Sequence, residues 1–472
     1  MTEYQSFIQR KHVRHESQGF DVPADELNAN LYNWQSDIAR FSLRKGRSAL
    51  FADCGLGKTI MQLSWADAVV KHTGKPVLIL CPIAVASQTC NEASRFEIDT
   101  PMINVRKDGQ SGKPSIQIVN YDAIHKLNLS IYGGVALDES SILKNFTGKI
   151  KQRLCSAFES FPFKLACTAT PSPNDIMELG NHAEFLGIMR SNEMLSRWFI
   201  NDTMKAGGYR LSKHATKDFW RWVASWAVCI SKPSDIGGDD DGYDLPELRV
   251  QTHFVTPGTP PKGHLFDPGN RVSATEIHKE KRRALVEKAS IVADLVNNKE
   301  QWAIWVDTDY EADALKKVIP DCVEVRGSTP EHRKEAALLG FADGTHRVII
   351  TKPEIGGFGL NWQHCHNTTY FAGFSFERWY QSIRRMWRFG QEYPVNVHLI
   401  ASDAEASIVD TLQRKSRQHQ EMVSAMASAM SEGMLEELYG KRPLRPYETP
   451  KESRVPGWLT TQNEGSIYAN VH

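Results

Sequence analysis

The chain carries no excess charge of either sign: 56 basic side chains balance 56 acidic ones over 472 residues. Overall attraction therefore cannot hold a polyanion, and any grip on one has to come from cations gathered in a groove. There is also no Cys-x-x-Cys pair. The eight cysteines, Cys54, Cys81, Cys90, Cys155, Cys167, Cys229, Cys322 and Cys365, are scattered along the chain, which argues against both a disulfide framework and a zinc module and favours a reducing compartment. No apolar run is long enough to span a bilayer, and Met1 is followed by the polar Thr2-Glu-Tyr-Gln-Ser6, so a cytoplasmic protein without a membrane segment is expected. Nor is there a repeat at a solenoid period. What remains is a 41% hydrophobic chain long enough for more than one core, and a multidomain globular enzyme is the expectation.

Short apolar runs alternate with helix-like stretches over residues 31–200. Ala49-Leu-Phe-Ala52, Val77-Leu-Ile-Leu-Cys81, Ile116-Gln-Ile-Val119, Val135-Ala-Leu137 and Lys164-Leu-Ala-Cys167 read as buried parallel strands of one α/β lobe. A second series, Trp302-Ala-Ile-Trp-Val306, Cys322-Val-Glu-Val325, Arg347-Val-Ile-Ile350 and Val395-Asn-Val-His-Leu-Ile400, reads as a second lobe within 273–412. Residues 201–272 are expected to be a small helical insert and linker, with Trp220, Trp222 and Trp226 packing a core and Asp239-Asp-Asp241 a solvated loop rather than a metal site. Residues 1–30 form an N-terminal extension, and 413–472 a charged helix with a polar, proline-rich tail.

Ala52-x-x-Gly55-x-Gly57-Lys58-Thr59 follows a predicted strand and opens a predicted helix. In that setting Gly55 and Gly57 let backbone N–H groups approach phosphates, Lys58 neutralises β and γ oxygens, and Thr59 offers a hydroxyl to Mg²⁺. Ala52 stands where the general pattern has its first glycine. Asp138-Glu139 ends the Val135–Leu137 run, at a strand end where ligands of open α/β folds gather. Asp138 is the candidate for holding the metal through water, and Glu139 for orienting and deprotonating an attacking water. Arg385 and Arg388, read as one helical turn apart on one face, are placed to reach a γ-phosphate from the other lobe.

These residues resemble the superfamily-2 helicases and translocases, most closely the Swi/Snf-like ATP-dependent DNA translocases of the compact type seen in phages and bacteria. The resemblance runs over about residues 31–412 and implies two RecA-like P-loop lobes flanking one ATP site. Leu31-Tyr-Asn-Trp-Gln35 resembles the upstream element whose Gln, here Gln35, reads adenine. Cys81-Pro-Ile-Ala-Val-Ala-Ser-Gln88 resembles motif Ia and Asn120-Tyr121 motif Ib, which implies nucleic-acid contacts by Ser87, Gln88, Asn120 and Tyr121. Asp138-Glu-Ser-Ser-Ile-Leu-Lys-Asn145 resembles D-E-A-H-x-x-K-N, with Ser140-Ser141 in place of Ala-His. Thr168-Ala-Thr-Pro171 resembles motif III, and the resemblance implies coupling roles for Thr168, Thr170 and Gln381. Thr351-Lys-Pro-Glu-Ile-Gly-Gly-Phe-Gly-Leu-Asn361 resembles motif V, which implies DNA contacts by Thr351, Lys352 and Gly357. Gln381-Ser-Ile-Arg-Arg-Met-Trp-Arg-Phe-Gly-Gln391 resembles motif VI.

The resemblance implies a motor that hydrolyses ATP with Mg²⁺ and tracks along duplex or forked DNA without sequence preference, 3′ to 5′, in a bacterial cell or phage-infected host. It also implies work beside a separate nuclease, methyltransferase or replication partner; no pattern in the sequence suggests a fused nuclease or methyltransferase. The insert is short beside those of eukaryotic chromatin remodellers, so nucleosome handling is not expected. Two other readings stay open: an RNA helicase with the same engine, and an ATP-gated DNA clamp without turnover. His364-Cys-His366 is not expected to bind zinc, because consecutive residues cannot all face one ion. Lys279, Lys281, Arg282 and Arg283 are read as lying either near DNA or on a solvent face.

Overall fold

The computed structural model describes residues 15–82, 85–202, 208–256, 279, 281–356 and 361–439. Two parallel sheets organise them. The first has seven strands in the order β3-β4-β2-β5-β6-β1-β9, where β1 is Arg47–Ala52, β2 Val77–Cys81, β3 Met102–Asn104, β4 Ile116–Asn120, β5 Gly134–Asp138, β6 Phe163–Cys167 and β9 Ala227–Ile230. A separate antiparallel hairpin, β7 (Phe199–Asp202) with β8 (Gly208–Leu211), stands beside it. The second sheet has six strands in the order β10-β15-β14-β11-β13-β12: β10 Leu248–Val255, β11 Trp302–Trp305, β12 Cys322–Val325, β13 Val348–Thr351, β14 Asn367–Phe371 and β15 Val395–Ser402.

Apolar content decides the central strands. Every residue of β2 is fully buried, as a parallel strand covered by helices on both faces requires. The expected two-lobed α/β fold is thus borne out, and each run read as a strand lies in one.

The stretch read as insert and linker behaves differently. It contributes an edge strand to each sheet, β9 pairing with β1 and β10 with β15 in parallel register from Leu248↔Val395 to Val255↔Ser402. Parallel partners lie far apart in sequence, so composition around 201–272 carries no sign of this pairing. The tryptophans do pack a core: Trp222 and Trp226 are buried within the first lobe, with Trp222 stacked on Trp198 at 4.7 Å. Asp240 of the acidic loop is engaged by Lys232 at 3.1 Å and by the Ser234 N–H at 2.7 Å.

The helix Ala406–Tyr439 joins the lobes. Ile408 and Val409, near its start, belong to the core of the second lobe, whereas Met422, Met426 and Met430 are buried in the core of the first. Lys281 corrects the reading of its basic run, for it lies on neither a DNA face nor a solvent face. It is 1% exposed and pairs with Asp307 at 2.8 Å and Glu405 at 3.5 Å, while the fully buried Lys288 also bonds Glu405. Buried cations need such partners, and this cluster fastens the helix Leu285–Val296 to the end of β15.

Replacing Trp226, which is fully buried, by alanine is expected to destabilise the first lobe by about 3–5 kcal/mol. A denaturant titration read by circular dichroism checks this.

Candidate active site

β1 ends at Ala52, and the chain turns through five residues before the helix Lys58–Thr73 begins. Gly55 and Gly57 have φ of 92° and 74°, a region that a side chain resists. Space is equally limiting. A Cβ on Gly57 would lie 2.5 Å from Gln35 Nε2, and one on Gly55 3.1 Å from the Phe389 backbone nitrogen. Phe389 belongs to the second lobe, so its chain comes directly over the loop. The helix starts without a side-chain cap, which leaves its first N–H groups available to an anion. Lys58 Nζ lies back over the loop and donates to the carbonyls of Ala52 at 2.7 Å and Asp53 at 3.1 Å.

β5 delivers the carboxylates. Glu139, just past the strand, has a φ of 54°, a sparsely populated conformation for a residue with a side chain. Tyr121 Oη donates to the Asp138 carbonyl at 2.7 Å. Burial, and then the neighbouring Glu139 charge, push the Asp138 carboxyl up to about 7 against the pull of Lys58. Burial also raises Glu139, opposed by Lys58 and Arg385. Two donors reach Glu139 Oε2: Thr168 Oγ1 at 3.5 Å from its own lobe and Gln381 Nε2 at 3.3 Å from the other.

Motif VI does not have the form expected of it. The helix Phe376–Ile383 ends before the arginines, and Arg385 and Arg388 lie on consecutive tight turns closed by Arg385 N–H to Ser382, Met386 N–H to Ile383 and Gln391 N–H to Arg388. Both still line one cavity of about 320 Å³ together with Lys58, Thr59, Asp138 and Glu139. Gln391 holds the turns in place by donating to the carbonyls of Gln363, Cys365 and Met386. Burial pushes the Arg385 guanidinium down to about 10 and lowers that of Arg388.

Other expected site residues lie elsewhere. Gln35 touches the loop, but its amide accepts from the Tyr32 N–H and donates to Leu56 O, each at 3.0 Å, and it does not line the cavity. Ser87 is exposed, whereas Gln88 lines the nucleotide-sized cavity and bonds Glu92. One helical step of about 100° separates the two. Asn120 lines a second cavity of about 520 Å³ with Arg106, His125 and Lys126, and the Tyr121 hydroxyl is spent on Asp138. Thr351 corrects its expectation as a nucleic-acid contact, being buried with Oγ1 donating to Val325 O at 3.1 Å. Lys352 pairs with Asp309 at 3.0 Å, and Gly357 lies outside the described residues. Thr170 is buried, its N–H donating to Thr168 Oγ1 at 3.1 Å.

Sequence reasoning missed four contacts. Arg384 and Tyr380 reach Asp53 of the loop. Lys144 pairs with Glu377 across the lobes. Beside Ser140, where the family pattern has Ala-His, the buried His182 brings Nε2 within 3.1 Å of the serine Oγ, and burial pushes its imidazole down to about 4. The Arg384-Arg385 pair was the one available signal, since two adjacent arginines cannot point the same way.

No family model matches the chain. It is 31% identical over 140 residues to SWI/SNF-related matrix-associated actin-dependent regulator of chromatin subfamily A-like protein 1 of Xenopus tropicalis, covering 28% of this chain and 14% of that protein. It is 23% identical over 210 residues to the CHD3-type chromatin-remodeling factor CHR7 of Arabidopsis thaliana, covering 38% of this chain and 17% of that one. The chain thus spans only 14% to 17% of the length of these relatives. Putative protein p41 of Acyrthosiphon pisum secondary endosymbiont phage 1 matches over 443 residues at 23% identity, covering 80% of this chain and 94% of its own. Among solved structures, the Sulfolobus solfataricus SWI2/SNF2 ATPase core in complex with dsDNA aligns at 17% identity and a TM-score of 0.41, over 91% of this chain and 98% of that one. The names of the first two of these curated relatives agree with the resemblance read from the motifs, over the part of the chain that each one matches.

Proposed function

We propose that the chain is a DNA-stimulated ATPase that couples hydrolysis between its lobes to movement along DNA. The observation that carries this reading is one cavity lined by Lys58, Thr59, Asp138 and Glu139 from the first lobe and by Arg385 and Arg388 from the second. The donor set fits a divalent cation, since carboxyls held toward their neutral forms mainly by burial are relieved by one. Thr59 and Asp138 would hold Mg²⁺, which supplies charge neutralisation at the phosphate oxygens. Lys58 leaves the loop carbonyls for the β and γ oxygens. Glu139, kept in place by Thr168 and Gln381, orients and takes a proton from the attacking water. Arg385 and Arg388 stabilise charge on the transferred phosphoryl group and do so only while the second lobe is docked. Hydrolysis then alternates with lobe opening, and the nucleic-acid track advances with it. Two of the curated relatives are chromatin factors by name, which supports DNA as the track. Polarity from 3′ to 5′ belongs to the same reading.

Lys58→Ala and Glu139→Gln are each expected to lower DNA-stimulated phosphate release by at least about 100-fold, and Arg388→Ala to slow turnover while ATP binding persists. Steady-state assays with duplex DNA, single-stranded DNA and RNA, alongside nucleotide titrations, check both the roles and the track. Full activity in the first two variants would remove the catalytic assignment, and stimulation by RNA alone would replace DNA as the track.

The carboxyl pair predicts a pH dependence. Below about pH 4 Asp138 is neutral whether folded or unfolded, but between about 4 and 7 the unfolded chain gives up a proton that the folded chain keeps. Stability of the nucleotide-free protein therefore falls as pH rises across that window, and the loss is complete above about 7. Asp138→Asn is expected to flatten this slope and to stabilise the nucleotide-free protein at pH 8 by on the order of 1 kcal/mol. Denaturation at pH 5 and pH 8 measures it.

A further inference from the structure

Asp53 is the first residue after β1 and part of the phosphate-binding loop, yet its carboxylate faces the second lobe. Oδ1 accepts the Cys54 N–H at 2.7 Å and the Tyr380 hydroxyl at 2.5 Å. Oδ2 accepts Arg384 Nη2 at 2.6 Å, and the same nitrogen donates to the Cys54 carbonyl at 3.0 Å. The Arg384 side chain is only 3% exposed and that of Asp53 18%, so little water competes for either. On the second lobe the pair of donors is itself held: the Arg384 guanidinium lies over the Trp387 ring at 4.9 Å, and Tyr380 packs against His419 of the long helix at 5.0 Å.

Arg384 and Arg385 are adjacent, so their side chains diverge. One is fixed to the loop backbone and Asp53, and the other lines the cavity with Glu139. The position of Arg385, and of Arg388 one turn on, is thus set by where Arg384 is anchored. The loop side of the contact is equally constrained, because the Asp53 carbonyl receives Lys58 Nζ at 3.1 Å. A phosphate that draws Lys58 off this carbonyl releases a bond from the same residue whose carboxylate holds the second lobe.

We infer that Asp53, Arg384 and Tyr380 form a clasp that sets the second lobe on the phosphate loop before nucleotide arrives, with Arg384 and Tyr380 as positioning residues for Arg385 and Arg388. The clasp makes loop conformation and lobe docking one variable. Its role in turnover rests on the ATPase reading above, whereas its role in docking does not.

The test uses Arg384→Met, Asp53→Asn and their combination in the full chain. Two quantities are read: DNA-stimulated ATP turnover, and the separation of dyes carried by unnatural amino acids at Ile150 and Leu339, which are 47% and 49% exposed on the first and second lobes. Each single variant is expected to lower kcat about tenfold or more with KM for ATP changed less than about threefold, and the double variant to be no worse than the weaker single one. Arg384→Lys, which keeps the cation, recovers part of the loss. Without nucleotide, Arg384→Met widens the dye separation. Tyr380→Phe, which removes only the hydroxyl, shifts both readouts the same way by less, and serves if a charge variant fails to fold. Losses that multiply in the double variant, or a dye separation unchanged by Arg384→Met, would overturn the clasp. If the wild-type chain does not turn over ATP, the hydrolysis reading fails and the dye separation alone decides.

Discussion

Asp138 and Glu139 stand side by side at the end of a buried strand, where burial pushes both carboxyls toward their neutral forms. The Glu139 charge further raises Asp138, so this pair needs cations close by to ionise together. The first lobe supplies Lys58 and the second supplies Arg385, each of which lowers Glu139. The charge balance of the site is therefore completed only when both lobes contribute. The left-handed backbone at Glu139 and the bond from Tyr121 to the Asp138 carbonyl fix where that demand is felt.

Polar contacts cross the seam between the lobes, beside the Tyr243–Phe389 ring contact at 4.7 Å. Arg384 with Asp53, Lys144 with Glu377 and Gln381 with Glu139 all cross it. Apolar burial would hold the lobes together in proportion to area, whatever occupies the cleft. Ion pairs and hydrogen bonds sit nearer to break-even, because each partner regains water when it leaves. Such a seam can open without a large cost. The permanent connection is made elsewhere, by a helix whose Ile408 and Val409 are buried in one lobe and whose Met422, Met426 and Met430 are buried in the other. A hydrophobic tether and a seam crossed by ion pairs divide the tasks of staying together and coming apart.

What was legible in the sequence follows the same division. Val77–Cys81 and Trp302–Trp305 are apolar throughout, and burial on both faces made their strands readable. Asn367–Phe371 was not read as a strand, because Asn-Thr-Thr hides its burial: Thr368 donates to the Ala303 carbonyl at 2.7 Å and Asn367 to Glu300 at 2.7 Å. β9 and β10 were missed because parallel pairing is a long-range event. In the site, the glycine loop and the Asp138-Glu139 strand end carried local signals. The Asp53–Arg384 contact, spanning 331 positions, carried no signal beyond the doubled arginine Arg384-Arg385. Lys281 shows the converse failure, since a lysine within a basic run reads as solvated until its partners Asp307 and Glu405 are in view.

Charge neutrality gains a meaning on the proposed reading. Each phosphate contact by a cation adds about 0.9 to the slope of log affinity against log salt on duplex DNA, and a chain with no net charge must make its contacts locally. Arg106, His125 and Lys126 gather beside Asn120 at the end of β4, a small group rather than a basic face. Several other cations are internally committed: Lys144 to Glu377, Lys281 and Lys288 to Glu405, Arg384 to Asp53, Lys352 to Asp309. A motor that steps has to release its track once per cycle, and a grip made of many free cations would resist that release. Cations paired within the protein instead shape the cleft and the seam, so on the proposed reading the hold on DNA would follow lobe position rather than net charge.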